Sequence, residues 1–235
     1  SVNLINESVK HNIKCFVFTS SIAVYGKGQV PMTESMVPQP EDPYGVAKYA
    51  FEMDLRCAHE MFGLNYVIFR PHNVYGEFQN IGDRYRNVVG IFMNQILQNK
   101  PMSIYGDGEQ MRAFSYVGDI IRPIAEAAWT EKAYNRVFNV GADIPYTVNE
   151  LAKEVARSMN VPEYPVIHLP ARNEVKIAYS EHGAANEVFG KGKSTSLSEG
   201  LFKMSKWVNK AGARESSRFE NIEVMKNLPP SWNIK

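Results

Sequence analysis

Tyr44 and Lys48 carry the side chains with the clearest chemical potential in this sequence. Their four-residue spacing puts a phenol and an amine on one face of a predicted helix. An ammonium group beside a phenol favours the ionised phenolate, which can accept a proton. Ser20 and Ser21 lie upstream and offer a hydroxyl that could relay a proton or hold a substrate oxygen. These groups are suited to removing a proton from an alcohol while a hydride leaves its carbon.

The tyrosine–lysine spacing alone is a weak signal, because the same spacing occurs by chance on solvated helices. Two neighbouring features favour chemistry over that alternative. The segment from Phe18 to Gly26 ends a predicted strand with small hydroxyl residues, and Pro43 stands immediately before the tyrosine. The pair is therefore interpreted together with the serines and not as an isolated motif.

The elements that must position these residues alternate between strands and helices. Short apolar runs at 15–18 and 66–69 are typical of parallel strands buried on both faces, and a helix is predicted between them over 44–62, ending at Gly63. Further strands are predicted at 102–105, 137–140 and 164–168, and further helices at 2–11, 85–98, 117–129, 147–159, 182–189 and 197–211. This alternation predicts an α/β protein with a mainly parallel sheet.

Two loops are expected to meet at one edge of that sheet. Ser20 and Ser21 follow the first buried strand, and the segment Pro71-His72-Asn73 follows the second. Open α/β sheets bind ligands beyond the carboxyl ends of their strands. The sequence therefore predicts one assembled site.

Bulk composition excludes several classes of function. The 235 residues carry a formal net charge of +1, with the basic residues spread along the chain, which gives no electrostatic case for nucleic acid or an anionic membrane. No apolar run approaches the length of a membrane span. The two cysteines lack metal-ligand spacing and a disulfide is not expected, which favours a reducing, cytoplasmic setting.

Residues 1–211 resemble the extended short-chain dehydrogenase/reductases, in particular the NAD-dependent nucleotide-sugar 4-epimerases that interconvert UDP-glucose and UDP-galactose. The resemblance implies that Tyr44 is the catalytic base or acid and that Lys48 binds the nicotinamide ribose and favours ionisation of the tyrosine. It implies that Ser21 lies by the sugar hydroxyl under attack. Ser20 is expected to support the turn on the cofactor side, although a shift of one residue would exchange the two serines.

The segment Arg70-Pro71-His72-Asn73-Val74-Tyr75-Gly76 resembles the family's loop after the next strand. The resemblance implies that Pro71 and Val74 contact the cofactor near the nicotinamide carboxamide and that Asn73 reaches the substrate. His72 could be an acid or base, but a packing or hydrogen-bonding role is favoured because the tyrosine already supplies the acid/base group.

A nucleotide-sugar site is implied farther along the chain. Arg112 is expected to bind the substrate diphosphate, because a guanidinium forks onto phosphate oxygens; a surface ion pair with Asp107 or Glu109 is the alternative. The other residues implied to contact the UDP-sugar are Asn87, Val88, Tyr105, Arg172 and Glu174.

The residues at positions 22 and 23 reduce the number of reaction classes that fit the sequence. Sugar-nucleotide dehydratases and decarboxylases of this superfamily have an acidic residue just after the catalytic hydroxyl. The side chains of Ile22 and Ala23 cannot exchange protons. Epimerisation and simple reduction need no such group, so both remain open.

The Gly-rich turn that seats a dinucleotide pyrophosphate is not found in this sequence, in either its G-x-G-x-x-G or its G-x-x-G-x-x-G form. We therefore expect a partial doubly wound, Rossmann-like parallel sheet, truncated at its N-terminus by about a hundred residues, with a small C-terminal α/β substrate-binding domain. The expected domains are 1–78 with 113–145 for the cofactor, 79–112 with 146–213 for the nucleotide sugar, and a polar tail at 214–235.

Three interpretations of this incomplete cofactor site stay open. The chain could be the C-terminal part of an ordinary epimerase, a catalytically inactive binding or structural subunit of the same fold, or another active sugar-nucleotide oxidoreductase. The resemblance also implies a homodimer packed through the helix that carries Tyr44 and Lys48 and a neighbouring helix, in part at 1–12. Which sugar is bound, and whether an N-acetyl group fits, is left open.

Overall fold

The computed structural model describes residues 2–83, 87–172 and 175–215. In chain order the described strands are β1 (Phe16–Thr19), β2 (Tyr66–Pro71), β3 (Val74–Tyr75), β4 (Met102–Tyr105), β5 (Met111–Ala113), β6 (Ser115–Tyr116), β7 (Arg136–Val140), β8 (Pro145–Thr147), β9 (Val166–Leu169) and β10 (Ile177–Ala178). The described α-helices are α1 (Val2–Lys10), α2 (Pro43–Phe62), α3 (Val88–Leu97), α4 (Val117–Glu126), α5 (Val148–Ser158), α6 (Gly183–Phe189) and α7 (Leu197–Ala211). Short 3₁₀ turns cover Ile22–Tyr25, Ala127–Trp129 and Glu131–Ala133.

A parallel sheet with the order β1-β2-β7 forms the centre of one part of the fold. Helices α1 and α2 cover one face, where Ile5 and Leu55 pack with Ile68. Helices α4 and α6 cover the other face, where Ile120 and Phe189 belong to one core cluster. Because both faces are covered, β2 is apolar along most of its length and nearly fully buried. The predicted α/β class with a parallel sheet is confirmed.

A second core lies between α3, α5 and α7. Its buried residues include Phe92, Leu151 and Leu201, together with Met102 and Ile104 from β4. Strand β4 pairs in parallel with β9, and β5 lies between β10 and β8. The exact domain bounds proposed above stay a prediction.

Most predicted elements are present with shifted ends. The helix predicted over 85–98 begins at Val88, and residues 84–86 are outside the described part. The helix predicted over 117–129 ends at Glu126 and continues as a 3₁₀ turn, and the strand predicted at 164–168 covers Val166–Leu169. Strands β3, β5, β6, β8 and β10 are missing from the prediction, because two or three residues carry too little periodicity to be recognised.

The start of α2 is set by local chemistry. The Asp42 side chain accepts a 2.5 Å hydrogen bond from Gly45 N and caps the helix, while Pro43 occupies its first turn. Gly45 lies against the turn that follows β1: a Cβ atom at this position would stand 2.7 Å from the carbonyl oxygen of Ala23. Because glycine has no side chain, the N-terminus of α2 can pack directly against the Ile22–Tyr25 turn.

The described residues contain neither a membrane-spanning helix nor a metal-ligand cluster. None of the helices there is both long and apolar enough to cross a membrane. Nor do three or more histidine, cysteine, aspartate or glutamate side chains in that part of the chain come together as a metal site.

Candidate active site

The predicted tyrosine–lysine pair is brought together at the carboxyl end of β1. Lys48 Nζ donates a 2.8 Å hydrogen bond to the backbone carbonyl of Thr19, the last residue of that strand. The same atom lies 5.0 Å from the ring centroid of Phe18 and 5.7 Å from that of Tyr44. Burial lowers the pKa of Lys48, because it penalises the charged ammonium. Tyr44 is 49% exposed, so a ligand can reach its phenol.

The two serines after β1 differ in burial. Ser21 is partly exposed and caps the Ile22–Tyr25 turn, its Oγ accepting a 3.2 Å hydrogen bond from Ala23 N. A hydroxyl that accepts in this way can still donate its own proton. Ser20 is 3% exposed, and its Oγ has no hydrogen-bond partner among the described residues. This difference favours Ser21 over Ser20 as the hydroxyl that a substrate would meet.

The loop after β2 is held by one carbonyl group. The Ala113 oxygen accepts hydrogen bonds from His72 Nδ1 at 2.9 Å and from Asn73 Nδ2 at 3.1 Å. Asn73 adopts a left-handed backbone with φ of 41°. Pro71 ends β2 beside Val140, and Val74 packs against the sheet's core cluster. The predicted cofactor and substrate contacts of this loop therefore lie on a fixed backbone.

His72 is buried at 3% exposure, in agreement with the favoured packing and hydrogen-bonding role. Burial lowers the pKa of His72 to about 4, against an ordinary value of 6.5, and outweighs the hydrogen bond to Ala113. The imidazole is accordingly neutral near pH 7.

Sequence reasoning missed a buried ion pair behind the site. Arg70 donates from Nε to Glu52 Oε1 at 2.9 Å and from Nη2 to Oε2 at 2.5 Å, and the two residues are 1% and 0% exposed. The pair ties α2 to β2, eight residues after Tyr44 on the same helix. The sequence does contain an indication of this pair: Arg70 follows an apolar strand that is expected to be buried, and a buried arginine needs an acidic partner.

A second missed group extends this buried polar layer to β7. The Arg70 guanidinium lies 4.7 Å from the ring centroid of Tyr25, whose hydroxyl donates to Asn139 Oδ1 at 2.8 Å. Asn139 donates from its backbone N to Glu34 Oε1 at 2.7 Å and from Nδ2 to the Met32 carbonyl at 3.2 Å. The hydrogen bond from Tyr25 to Asn139 on β7 therefore holds the turn that Ser21 caps. Burial raises the pKa of the Tyr25 phenol.

Three residues predicted to contact the nucleotide sugar are arginines or their stacking partner: Arg112, Arg172 and Tyr105. Arg112 on β5 donates to the carbonyl oxygens of Met111 at 2.8 Å and Lys176 at 3.1 Å, and also to that of Val175. Its guanidinium is thus held against the segment before β10. The Arg172 guanidinium stacks 3.3 Å from the ring centroid of Tyr105, which brings two predicted contacts together.

Two further predicted contacts begin α3. Asn87 is its N-terminal flanking residue, with φ of 59° and no side-chain capping bond, and Val88 is the first helical residue. Glu174, the remaining predicted contact, lies outside the described residues.

The nicotinamide end of a dinucleotide suits the donors at this edge of the sheet. A lysine ammonium has three N–H donors, and that of Lys48 spends one on Thr19, which leaves capacity for ribose hydroxyls. The Tyr44 phenol is exposed and Ser21 is partly exposed, and their neighbours Gly45 and Ala23 bring the start of α2 against the turn that Ser21 caps. These groups fit the nicotinamide end of the cofactor.

Comparison with known proteins identifies the group to which these features belong. The family model described as the NAD dependent epimerase/dehydratase family matches residues 1–141. A protein of Methanocaldococcus jannaschii provisionally named UDP-glucose 4-epimerase is 31% identical over 211 residues, which are 88% of this chain and 67% of that protein.

Solved structures give the same result. The UDP-glucose 4-epimerase of Thermotoga maritima, solved with UDP-glucose, has a TM-score of 0.81 at 34% identity, over 88% of this chain and 67% of its own. The UDP-glucuronic acid 4-epimerase of Bacillus cereus, solved with UDP-glucuronic acid and NAD, has a TM-score of 0.81 at 26% identity, over 88% and 65%. The chain thus spans about two thirds of the length of these relatives.

Proposed function

The chain belongs to the NAD-dependent epimerase/dehydratase family, and from that premise we propose that its site serves reversible oxidation at C4 of a UDP-sugar. The observation that carries the proposal is the position of Lys48 at the end of β1, with its ammonium beside the exposed ring of Tyr44. Tyr44 would take the proton from the sugar 4-hydroxyl, and Ser21 would hold that oxygen. Lys48 would hold the ribose and favour the phenolate.

NAD, when bound, would supply the hydride acceptor and later the donor. Ser20, Pro71 and Val74 are proposed to line the cofactor's reactive end. Once the sugar is oxidised to its 4-keto form, it would turn over and present the other face of C4 to the returning hydride, while its 4-oxygen would take back the proton from Tyr44. The enzyme would then be a UDP-glucose/UDP-galactose 4-epimerase of galactose metabolism.

The relatives support epimerisation more strongly than they support one sugar. The named relatives of M. jannaschii, T. maritima and B. cereus all carry 4-epimerase names, whereas their sugars differ. Ile22 and Ala23 supply no proton-exchanging group for elimination of water or carbon dioxide. We assign UDP-glucose as the first substrate to test because the T. maritima structure contains it.

The nucleotide sugar is proposed to lie between β5 and the start of α3. Arg112 and the stacked pair Arg172 and Tyr105 would face its diphosphate and base, since a guanidinium binds phosphate oxygens in fixed geometry. Asn73, Asn87, Val88 and Glu174 complete the proposed contacts.

A second candidate function is that of a UDP-sugar-binding subunit of the same fold without catalytic activity. Isothermal titration of residues 1–235 separates the two. We expect binding of UDP-glucose and weak binding of NAD. Micromolar NAD binding would contradict an incomplete cofactor site, and no binding of either ligand would contradict both candidate functions.

We also propose that the protein forms a homodimer through α2. Five small or apolar residues of this helix are exposed and recur every three or four positions, namely Val46, Ala50, Met53, Cys57 and Met61. An exposed stripe of this kind is self-complementary in a two-fold dimer. Light scattering should give twice the chain mass for the wild type and the monomer mass for Met53→Glu. Ile121→Glu, at an exposed apolar position of α4, is the matched control and should remain dimeric.

A further inference from the structure

Three ionisable side chains, Asp143, His182 and His72, are hydrogen-bonded in a row beside the site and have no role in the proposed reaction. Asp143 Oδ1 lies 2.6 Å from His182 Nδ1, and His182 Nε2 lies 3.2 Å from His72 Nε2. His72 Nδ1 in turn lies 2.9 Å from the carbonyl oxygen of Ala113. The two ring planes are inclined at 22° and meet edge to edge with centroids 5.4 Å apart; His182 is 7% and His72 3% exposed, whereas the Asp143 side chain is 68% exposed.

The hydrogen-bond partners of the two imidazoles fix the number of protons on their four ring nitrogens. The Ala113 carbonyl only accepts, so His72 Nδ1 carries a proton. One proton must lie between the two Nε2 atoms, because two lone pairs would repel there and two N–H groups would clash. The 2.6 Å contact between Asp143 Oδ1 and His182 Nδ1 needs a third proton, which this ion-pair geometry places on the nitrogen. Three protons on two imidazoles make one of them a cation.

The surroundings decide which ring is the cation. His182 touches the carboxylate of Asp143, whereas His72 lies deeper and its Nδ1 touches only neutral groups, the Ala113 carbonyl and, at 3.4 Å, the Ser115 hydroxyl. The low pKa of His72, about 4, agrees with that assignment. His72 then holds its single proton on Nδ1 and accepts from His182 at Nε2.

Other uses of these side chains fit less well. Ser180 Oγ lies 3.3 Å from His182 Nε2, which together with Asp143 resembles a hydrolase triad, but Ser180 is 1% exposed and no substrate could reach it. Within the described residues no further histidine, cysteine or acid joins the two imidazoles in a metal site.

Other charged groups near these three side chains are engaged elsewhere. The adjoining cavity of about 90 Å³ is lined in part by Asp119, Arg122, Lys191 and Lys193. Asp119 accepts from the backbone and hydroxyl of Thr195, Arg122 donates to the Phe189 carbonyl, and Lys193 pairs with Glu199. Asp143 is the carboxylate that contacts His182, and Lys191 contributes a positive charge to the cavity lining.

We propose that Asp143, cationic His182 and neutral His72 form a proton-ordered relay in which His72 is a positioning residue for the Asn73 loop. The Ala113 carbonyl at its end also accepts from Asn73 Nδ2, so the relay fixes the acceptor that orients this left-handed asparagine. The role of Asn73 toward substrate rests on the proposed function, but the protonation pattern and the loop contact do not.

Nitrogen NMR of the 235-residue chain with labelled histidine tests the protonation pattern at pH 7. We expect one-bond coupling to a proton at both nitrogens of His182 and only at Nδ1 of His72. Asp143→Asn removes the anion and should leave His182 with one proton. Glu181→Gln removes an exposed negative charge one residue from His182 and should leave both protons. A singly protonated His182 in the wild type would overturn the proposal, as would a singly protonated His182 in the Glu181→Gln control.

Exchange of the Asn73 side-chain amide protons tests the positioning role. His72→Phe removes the donor to Ala113 and should speed this exchange about fivefold, the factor for one typical hydrogen bond. His72→Gln supplies an amide donor and should restore the slow exchange. Equal exchange in the wild type and His72→Phe would overturn the positioning role. UDP-glucose binding is measured separately, so its absence would contradict the proposed function and leave the relay intact.

Discussion

Lys48 and Thr19 join the helix that carries the candidate acid/base group to the strand that precedes the candidate hydroxyl. The 2.8 Å bond from Nζ to the Thr19 carbonyl fixes the ammonium at the carboxyl end of β1, beneath the ring of Tyr44. The close approach of Gly45 to Ala23 adds a second constraint on the same helix start. Two contacts from different residues of α2 thus hold the site together.

Gly45→Ala is expected to push the N-terminus of α2 away from the turn after β1. The added Cβ would stand 2.7 Å from the Ala23 carbonyl, a backbone atom that cannot rotate aside. Overpacking of this kind costs about 1–3 kcal/mol of unfolding free energy. Urea unfolding measures the loss, and a stability equal to that of the wild type would contradict the packing argument. Gly183→Ala is the control, because nothing lies within 4 Å of its Cβ position.

Glu52→Gln is expected to destabilise the protein strongly. The substitution leaves the Arg70 guanidinium buried at 1% exposure without its anion. Breaking a buried pair by removing one partner costs about 3–5 kcal/mol. The double variant with Glu52→Leu and Arg70→Met should recover part of that loss, since it leaves no buried charge.

Urea unfolding of the single and double variants checks the buried pair. Glu199→Gln, which removes an exposed carboxylate that contacts two lysines, should change the unfolding free energy little. A Glu52→Gln variant as stable as the Glu199→Gln control would contradict the importance of the buried pair.

Stability should fall on acidification because His72 is buried as a neutral base. Its pKa is about 4 in the folded chain against 6.5 ordinarily, so the unfolded chain binds the extra proton between these values. Unfolding free energy therefore decreases as pH falls from about 6.5 to 4, by at most about 1.4 kcal/mol per pH unit from this residue. His72→Gln should show a shallower decrease in urea unfolding at pH 7, 6 and 5. Parallel curves would contradict the assignment.

The two thiols should react at very different rates in the monomeric Met53→Glu variant, in which the proposed dimer contact does not cover Cys57. Burial raises the pKa of Cys15 to about 11, whereas Cys57 lies exposed on α2. Because the thiolate is the reactive form, we expect iodoacetamide at pH 8 to modify Cys15 roughly two orders of magnitude more slowly than a free thiol. Mass spectrometry of the digested protein gives both rates. Similar rates for the two cysteines would show that Cys15 is accessible.

The regular elements could be predicted because their apolar patterns are long enough to be distinctive. The runs in β1, β2 and β7 and the 20-residue helix α2, ended by Gly63, follow from periodicity and from left-handed glycine at a helix end. The relay could not be predicted in this way. Asp143 and His182 are 39 residues apart, and only the tertiary arrangement of the loops after β7 and β10 brings them into contact.

The functional residues also divide into those whose proximity follows from local sequence and those brought together only by the tertiary fold. Tyr44 and Lys48 share a helix, so their proximity follows from spacing alone. Glu52 and Arg70 lie on different elements, and a charge in an apolar strand indicates a buried partner without saying which one. The contacts of Arg112 with the carbonyls of 175 and 176 depend on the pairing of β5 with β10, two strands too short to be recognised.

The most direct test of the proposed reaction is the rate of UDP-glucose to UDP-galactose conversion with and without the Tyr44 hydroxyl. Residues 1–235 would be fused behind a βαβ unit that carries a Gly-rich turn, and kcat would be measured with saturating NAD. Tyr44→Phe should lower kcat by ~10³, the range for loss of a general acid/base, with UDP-glucose affinity nearly unchanged. A Tyr44→Phe enzyme with wild-type kcat would contradict the assignment of this tyrosine and, with it, the proposed mechanism.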